Sequence, residues 1–200
     1  METRNKDTSY QFNITSMFKQ IKQYLTTKLP NGLCLIALTN TELYEDKTDL
    51  FVAGMASGNQ RIALFSLLRY DPNLKFSSEF WYQITALNSH NEAERNQLIL
   101  ERSVKLLVHE TMHLLGLDHC IYYDCVMNGS GHLEEDFKQP LHLCPVCLRK
   151  MFVLCGFSVR ARYEVLREVY SELRMRKEEG WVVERLKEVA DTALVDKELK

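Results

Sequence analysis

The stretch His109-Glu110-Thr111-Met112-His113-Leu114-Leu115-Gly116-Leu117-Asp118-His119 decides how the rest of the chain is read. Its fixed positions are H-E-x-x-H-x-x-G-x-x-H, and each has a mechanical reason. His109 and His113, four residues apart, share a helix face and can present imidazole nitrogens to one cation. Gly116 permits the left-handed turn that stops the helix, so that His119 can return to the same cation. Three neutral ligands leave one position open, and a water there on zinc has its pKa lowered to about 7. Glu110, next to the first ligand, is placed to take that proton and pass it to a leaving amine. A bare H-E-x-x-H recurs by chance in helices, whereas the added Gly116 and His119 make the match far more specific. The pattern points to metal-assisted hydrolysis.

Working outward, the helix that carries this motif is expected from Ser89, where Ser89 and Glu92 read as an S-x-x-E capping box, to Leu115. At 100° per residue, Val104, Leu107, Val108, Met112 and Leu115 form one apolar stripe, and the two histidines fall roughly 140° from its centre. The core and the histidines are therefore expected to face different ways. Upstream, Ile14, Phe18, Ile21 and Leu25 predict an amphipathic helix over 14–29, ended by Pro30-Asn31-Gly32. Leu33–Leu38 reads as a buried strand. Leu50–Ala56 and Arg61–Leu67, separated by Ser57-Gly58-Asn59, read as a hairpin, with the edge around Arg61–Ser66 free to receive an extended peptide. Downstream, helices are expected over about 141–156, 158–179 and a charged tail from 181, anchored by Trp181.

The cysteines supply the second informative pattern. Cys120 and Cys125 are separated by four residues and Cys144 and Cys147 by two, while Cys34 and Cys155 stand alone in apolar surroundings and read as buried, inert thiols. Four thiolates at these spacings can close a tetrahedral all-cysteine zinc site with no place for a reactant, which makes the site structural. Disulfides or an iron–sulfur centre are the alternatives that ligand type allows. Because Cys120 follows His119 directly, ordering of the thiolate cluster is expected to fix the chain that carries the third histidine, so that loss of either metal weakens the other.

The residues from His109 to Lys150 together resemble the signature of the archaemetzincins, a branch of the metzincin metalloproteases. The matching parts are H-E-x-x-H-x-x-G-x-x-H-C, then Cys125-Val126-Met127, then Cys144-Pro145-Val146-Cys147-Leu148-Arg149-Lys150. The resemblance covers most of residues 33 to 160. It implies a catalytic zinc on His109, His113 and His119, a general base at Glu110, a structural zinc on Cys120, Cys125, Cys144 and Cys147, and Met127 as the Met-turn beneath the active metal. Some metzincin relatives place an oxyanion-stabilising tyrosine two residues after that methionine, where this chain has Gly129. Tyr122, Tyr123 and His132 are the nearby candidates for that role, and His90 and His142 read as surface or capping residues. The resemblance also implies a strand and a helix ahead of the segment beginning at Tyr10. This chain has about ten polar residues there, which reads as a shortened start that leaves the sheet one strand short.

The 200 residues carry 46% hydrophobic and 26% charged side chains with a formal net charge of −2, which disfavours both disorder and a basic nucleic-acid binder. Without an apolar run of about 18 residues or an apolar leader, the expectation is an intracellular protein, cytoplasmic or also nuclear, with no membrane partner. The expected architecture is α/β and zincin-like: a small mixed sheet, a long active-site helix and a zinc-stapled helical C-terminal subdomain. Residues 1–116 form the first subdomain and 117–200 the second. The expected function is hydrolysis of peptide bonds in a peptide or protein substrate by a monomer with two zinc ions, with aminopeptidase action implied by the resemblance. A zinc-binding interaction module is the rival reading.

Overall fold

The computed structural model describes residues 1–6, 9–74, 90–131 and 133–189. It is a mixed α/β chain in two compact units: Met1–His119 with Gly129–Lys138, and Cys120–Asn128 with Gln139–Lys200.

The first unit contains two three-stranded sheets. In one, β1 (Thr3–Lys6) pairs antiparallel with β2 (Ser9–Asn13), which pairs parallel with β4 (Glu42–Tyr44). In the other, β3 (Leu35–Thr39) and β5 (Gly54–Ser57) flank β6 (Ile62–Ser66), the first parallel and the second antiparallel to it. The polar opening residues thus form a strand, where the sequence suggests a sheet lacking one. The hairpin is present, but the strand expected at the edge is the central one. Every residue of β6 is buried. Ile62 and Leu64 join α1 (Ile14–Lys28), through Ile14, Phe18, Ile21 and Leu25, in one core, while Ala63 and Phe65 join Leu106 in a second. A strand buried on both faces reads as a continuous apolar run, which suits the centre of a sheet and not its edge. Among the described residues, β3 and β5 are the two edges of this sheet, and of these it is β5 that packs beside α2.

The motif-bearing helix α2 spans Glu92–Leu114. Its capping box lies two residues beyond the expected one: Glu94 N donates to Asn91 Oδ1 at 3.0 Å and Asn91 N to Glu94 Oε2 at 3.2 Å. Ser89 lies outside the described residues. The buried positions of α2 are Ser103, Leu106 and His109, whereas Val104, Leu107, Val108, Met112 and Leu115 are half-buried. The first histidine therefore shares its face with the core contact Leu106, which corrects the expected separation of core and histidines. A short helix, α3 (Leu133–Lys138), adds an element that no pattern in the sequence marks.

In the second unit α4 (Pro145–Cys155) is followed by α5 (Val159–Glu172) and α6 (Arg176–Glu188). The helix expected over 158–179 is broken by Arg174, whose φ of 57° places it in the left-handed region. Arg174 N donates to Ser171 O and Met175 N to Tyr170 O, the two bonds of a Schellman cap. Trp181 does anchor the last helix: it stacks on His142 at 4.0 Å and 9°, and Tyr163 meets it edge-on at 5.8 Å. His142 is therefore a packing residue, half-buried, and burial together with the Arg185 charge lowers its pKa. Cys155 is exposed at the end of α4, and Cys34 is half-buried just before β3, so neither is the fully buried thiol expected. Among the described residues no helix is long and apolar enough to cross a membrane.

Candidate metal centres

The end of α2 is built to hold its histidines. Gly116 takes φ +92°, and Gly116 N and Leu117 N donate to the His113 and Met112 carbonyls, both at 3.0 Å, in a second Schellman cap. That cap turns the Leu117 carbonyl back toward the helix, where His113 Nδ1 donates to it at 2.6 Å. With its proton on Nδ1, His113 has the Nε2 lone pair available as a ligand. His113 Nε2 lies 2.9 Å from His109 Nε2, and nitrogen atoms of His109, His113 and His119 all fall within 4.8 Å of one another. Three imidazole nitrogens this close can converge on one cation, so the set suits a shared metal.

His119 is the exposed member of the three. It is braced from one side by Gly129: a Cβ there would sit 3.2 Å from His119 Nδ1 and 3.4 Å from Cγ. Gly129, which the sequence marks only by the lack of a tyrosine, thus gives the ring room. Glu110 lines the same groove as the three histidines, together with Gly54–Asn59 along the unpaired side of β5. Burial, with Asp136 as a second contributor, raises the Glu110 carboxyl to about 7. An adjoining cavity of about 280 Å³ is shared by His109, Glu110, Tyr70 and Asp136. Gly54 faces both spaces, and any Cβ on it would collide with Phe65 Cδ1 at 2.0 Å.

In the second unit Cys120, Cys125, Cys144 and Cys147 are all buried, with sulfur atoms within 4.8 Å of one another. Cys120 Sγ and Cys144 Sγ are 3.6 Å apart, too far for a disulfide and close to the roughly 3.8 Å edge of a tetrahedron with 2.3 Å zinc–sulfur bonds. All six cysteines are free thiols. Backbone N–H groups already point at the sulfurs: Cys144 N donates to Cys125 Sγ at 3.3 Å and Cys147 N to Cys144 Sγ at 3.4 Å. Cys144 doubles as the N-cap of α4 and Pro145 fills its first turn. Burial pushes the Cys125 and Cys147 thiols up, and in Cys120 the same effect is outweighed by hydrogen bonds from the Tyr122 and Tyr123 backbone, so that it falls to about 7. Four buried thiolates need a compensating cation, and the donor set fits zinc. The loop from Cys120 is closed by Cys120 N donating to Met127 O at 2.7 Å and by Asn128, whose side chain donates to Cys120 O at 2.8 Å and accepts from Cys125 N at 2.8 Å. Met127 is fully buried in this unit. Tyr122 and Tyr123 are exposed, and His132 lies outside the described residues.

A helix-borne histidine pair with a third histidine beyond a glycine cap, and a four-thiol cluster, are two groups that could each hold a metal ion. The chain belongs to peptidase family M54, whose pattern matches residues 13–152. Archaemetzincin-2 of Macaca fascicularis is 37% identical over 159 residues, which cover 73% of this chain and 44% of that protein. Human Archaemetzincin-2 is 36% identical over 159 residues, with the same 73% and 44% covered. The crystal structure of archaemetzincin from Methanopyrus kandleri matches with a TM-score of 0.50 at 26% identity, over 74% of this chain and 67% of that one. The expected resemblance to archaemetzincins is borne out, and the chain spans less than half the length of these curated relatives.

Proposed function

We propose that the chain is a zinc-dependent peptidase in which His109, His113 and His119 hold the metal and Glu110 is the general base. The observation that carries this reading is the convergence of three imidazoles within 4.8 Å in a groove that Glu110 also lines. When bound, zinc supplies Lewis acidity toward a carbonyl and a reactive water near neutral pH. The Leu117 carbonyl holds the His113 ring and its tautomer. Glu110 takes a proton from the attacking water and returns it to the leaving amine. A substrate strand lies along the unpaired side of Gly54–Ser57, where main-chain groups align its scissile carbonyl with the histidine cluster.

The same reading assigns a second, structural zinc to Cys120, Cys125, Cys144 and Cys147, and the Met-turn to Met127. Aminopeptidase action is the finer form of the proposal, and free against blocked amino termini in the substrate panel test it. In the decisive comparison, Glu110→Gln keeps its zinc content while peptide turnover falls by about 10²–10⁴-fold. Turnover unchanged in that variant would remove Glu110 from the mechanism. A zinc-loaded wild type that cleaves no peptide would leave an interaction module.

A further inference from the structure

The cavity beside His109 has apolar walls, Phe65, Leu106 and Leu133 among them, and among the described residues its only carboxylates are those of Glu110 and Asp136. Under the reading above Glu110 has a role in the chemistry, and Asp136 has none. Asp136 is nonetheless held in place. The Tyr70 hydroxyl donates to Asp136 Oδ2 at 3.1 Å, and the Tyr70 ring packs edge-on against Phe137 at 5.3 Å. The Tyr70 carbonyl in turn accepts from Arg102 at 2.8 Å. One hydroxyl proton occupies one of about four acceptor positions on a carboxylate, so Asp136 keeps acceptor capacity toward the cavity.

The neighbouring cations do not enter that space. Arg102 lies over the Phe137 ring at 3.9 Å. Lys105 Nζ donates to the Phe137 carbonyl at 2.7 Å; its charge acts on Asp136, but the side chain does not line the cavity. A carboxylate facing a partly apolar space is costly until a cation joins it. The volume of about 280 Å³ suits one long side chain or a chain terminus, not a larger ligand.

We propose that this cavity is a substrate subsite for a cationic nitrogen, ammonium or guanidinium, with Asp136 as its counter-charge and Tyr70 as the residue that positions Asp136. The proposal rests on the peptidase reading, and it names a substrate feature which that reading leaves open. The cation has two sources, the α-ammonium of a peptide or a lysine or arginine side chain.

The test uses zinc-loaded protein and peptides that carry Lys, Arg, citrulline or norleucine at each successive position, with free and acetylated amino termini. Wild type is expected to prefer a cationic peptide by about tenfold or more in kcat/KM, the scale of one desolvated charge pair. Asp136→Asn, which preserves shape and the bond from Tyr70, is expected to reduce that preference to under about twofold with zinc content and melting temperature unchanged. A preference that disappears on acetylation identifies the α-ammonium, and one that survives it identifies the side chain; both support the subsite. Equal kcat/KM for citrulline and arginine at every position, with acetylation also neutral, overturns it. So does a preference that persists in Asp136→Asn. Should Asp136→Asn fail to fold, Tyr70→Phe takes its place, with the preference expected to fall several-fold and an unchanged preference counting against the proposal. If no peptide is cleaved, the peptidase reading fails by itself. The subsite is then read by fluorescence anisotropy of the same labelled peptides on Glu110→Gln, where about tenfold tighter binding of the cationic ones is expected and equal affinity overturns it.

Discussion

His109, His113 and His119 pass from buried through half-buried to exposed, whereas Cys120, Cys125, Cys144 and Cys147 are buried without exception. The two clusters are also supported differently. His109 and His113 hang from a 23-residue helix packed through Leu106 onto a sheet whose central strand is buried on both faces, and His119 follows beyond its glycine cap. Their unit would keep its core if the imidazoles were replaced. Cys120 and Cys125 lie outside the helices, Cys144 is the N-cap of α4 and Cys147 lies in its first turn, and all four join Val126, Met127, Leu141 and Leu143 among the buried residues of their unit. A graded set beside a groove suits a metal that meets a reactant, and a closed set suits a metal that replaces a core.

That contrast predicts unequal damage. Cys125→Ala should collapse the cooperative unfolding of the second unit, because zinc binding to a thiolate site carries about 10 kcal/mol or more of folding free energy; loss of its helical circular dichroism, with Trp181 fluorescence exposed, is the expected record. His113→Ala should leave that signal in place. A similar loss from both variants would break the contrast. In the first unit the large effect should come from a buried ion pair instead. Arg69 donates to Glu42 Oε1 through Nε at 2.8 Å and Nη2 at 2.5 Å, and Gln11 donates to Glu42 Oε2 at 2.6 Å. Arg69→Ala is expected to cost about 3–5 kcal/mol in chemical denaturation, with zinc saturating throughout. A smaller effect sharpens the contrast further. Gly129→Ala crowds His119 and should weaken zinc at the histidine cluster about tenfold while sparing the thiol cluster, as read by competition with a chelator.

The smallest effects belong to the helical packing of the second unit. His142 has a lowered pKa in the folded state, so between its folded and unfolded values the unfolded chain binds more protons. Its contribution is fully present above the unfolded value of about 6.5 and is lost as pH falls from there through the folded pKa. His142→Phe keeps the stack on Trp181 and should flatten the acid limb of stability by at most about 1.4 kcal/mol per pH unit; an unchanged slope would place the titration elsewhere. Arg174→Gly relieves a left-handed residue and should raise stability by about 0.5–1 kcal/mol in urea melts.

Much of this is legible along the chain, for reasons that differ by element. The helix over residues 14–28 announces itself through four apolar side chains at helical spacing, and all four are buried. Both ligand sets can be quoted from spacing because helix pitch and tight turns fix how near such residues come. The buried face of α2 is hidden because five half-buried apolar side chains outnumber Leu106 and Leu114, which pack with Ala63 and Phe65 of β6. The centrality of β6 depends on its partner β3, more than twenty residues earlier, and no local pattern carries that pairing. The Leu117 carbonyl is a backbone group whose aim comes from the cap. Gly129 and Asp136 gain their meaning only from residues brought to them by folding. Cys155 shows the converse: an apolar neighbourhood in sequence need not be one in space.

The most direct test of the account is zinc per chain by native mass spectrometry on the wild type, His113→Ala and Cys144→Ser. Two ions in the wild type and one in each variant are predicted. One ion in the wild type that survives His113→Ala would leave a structural thiolate site alone and contradict the catalytic reading of the histidines.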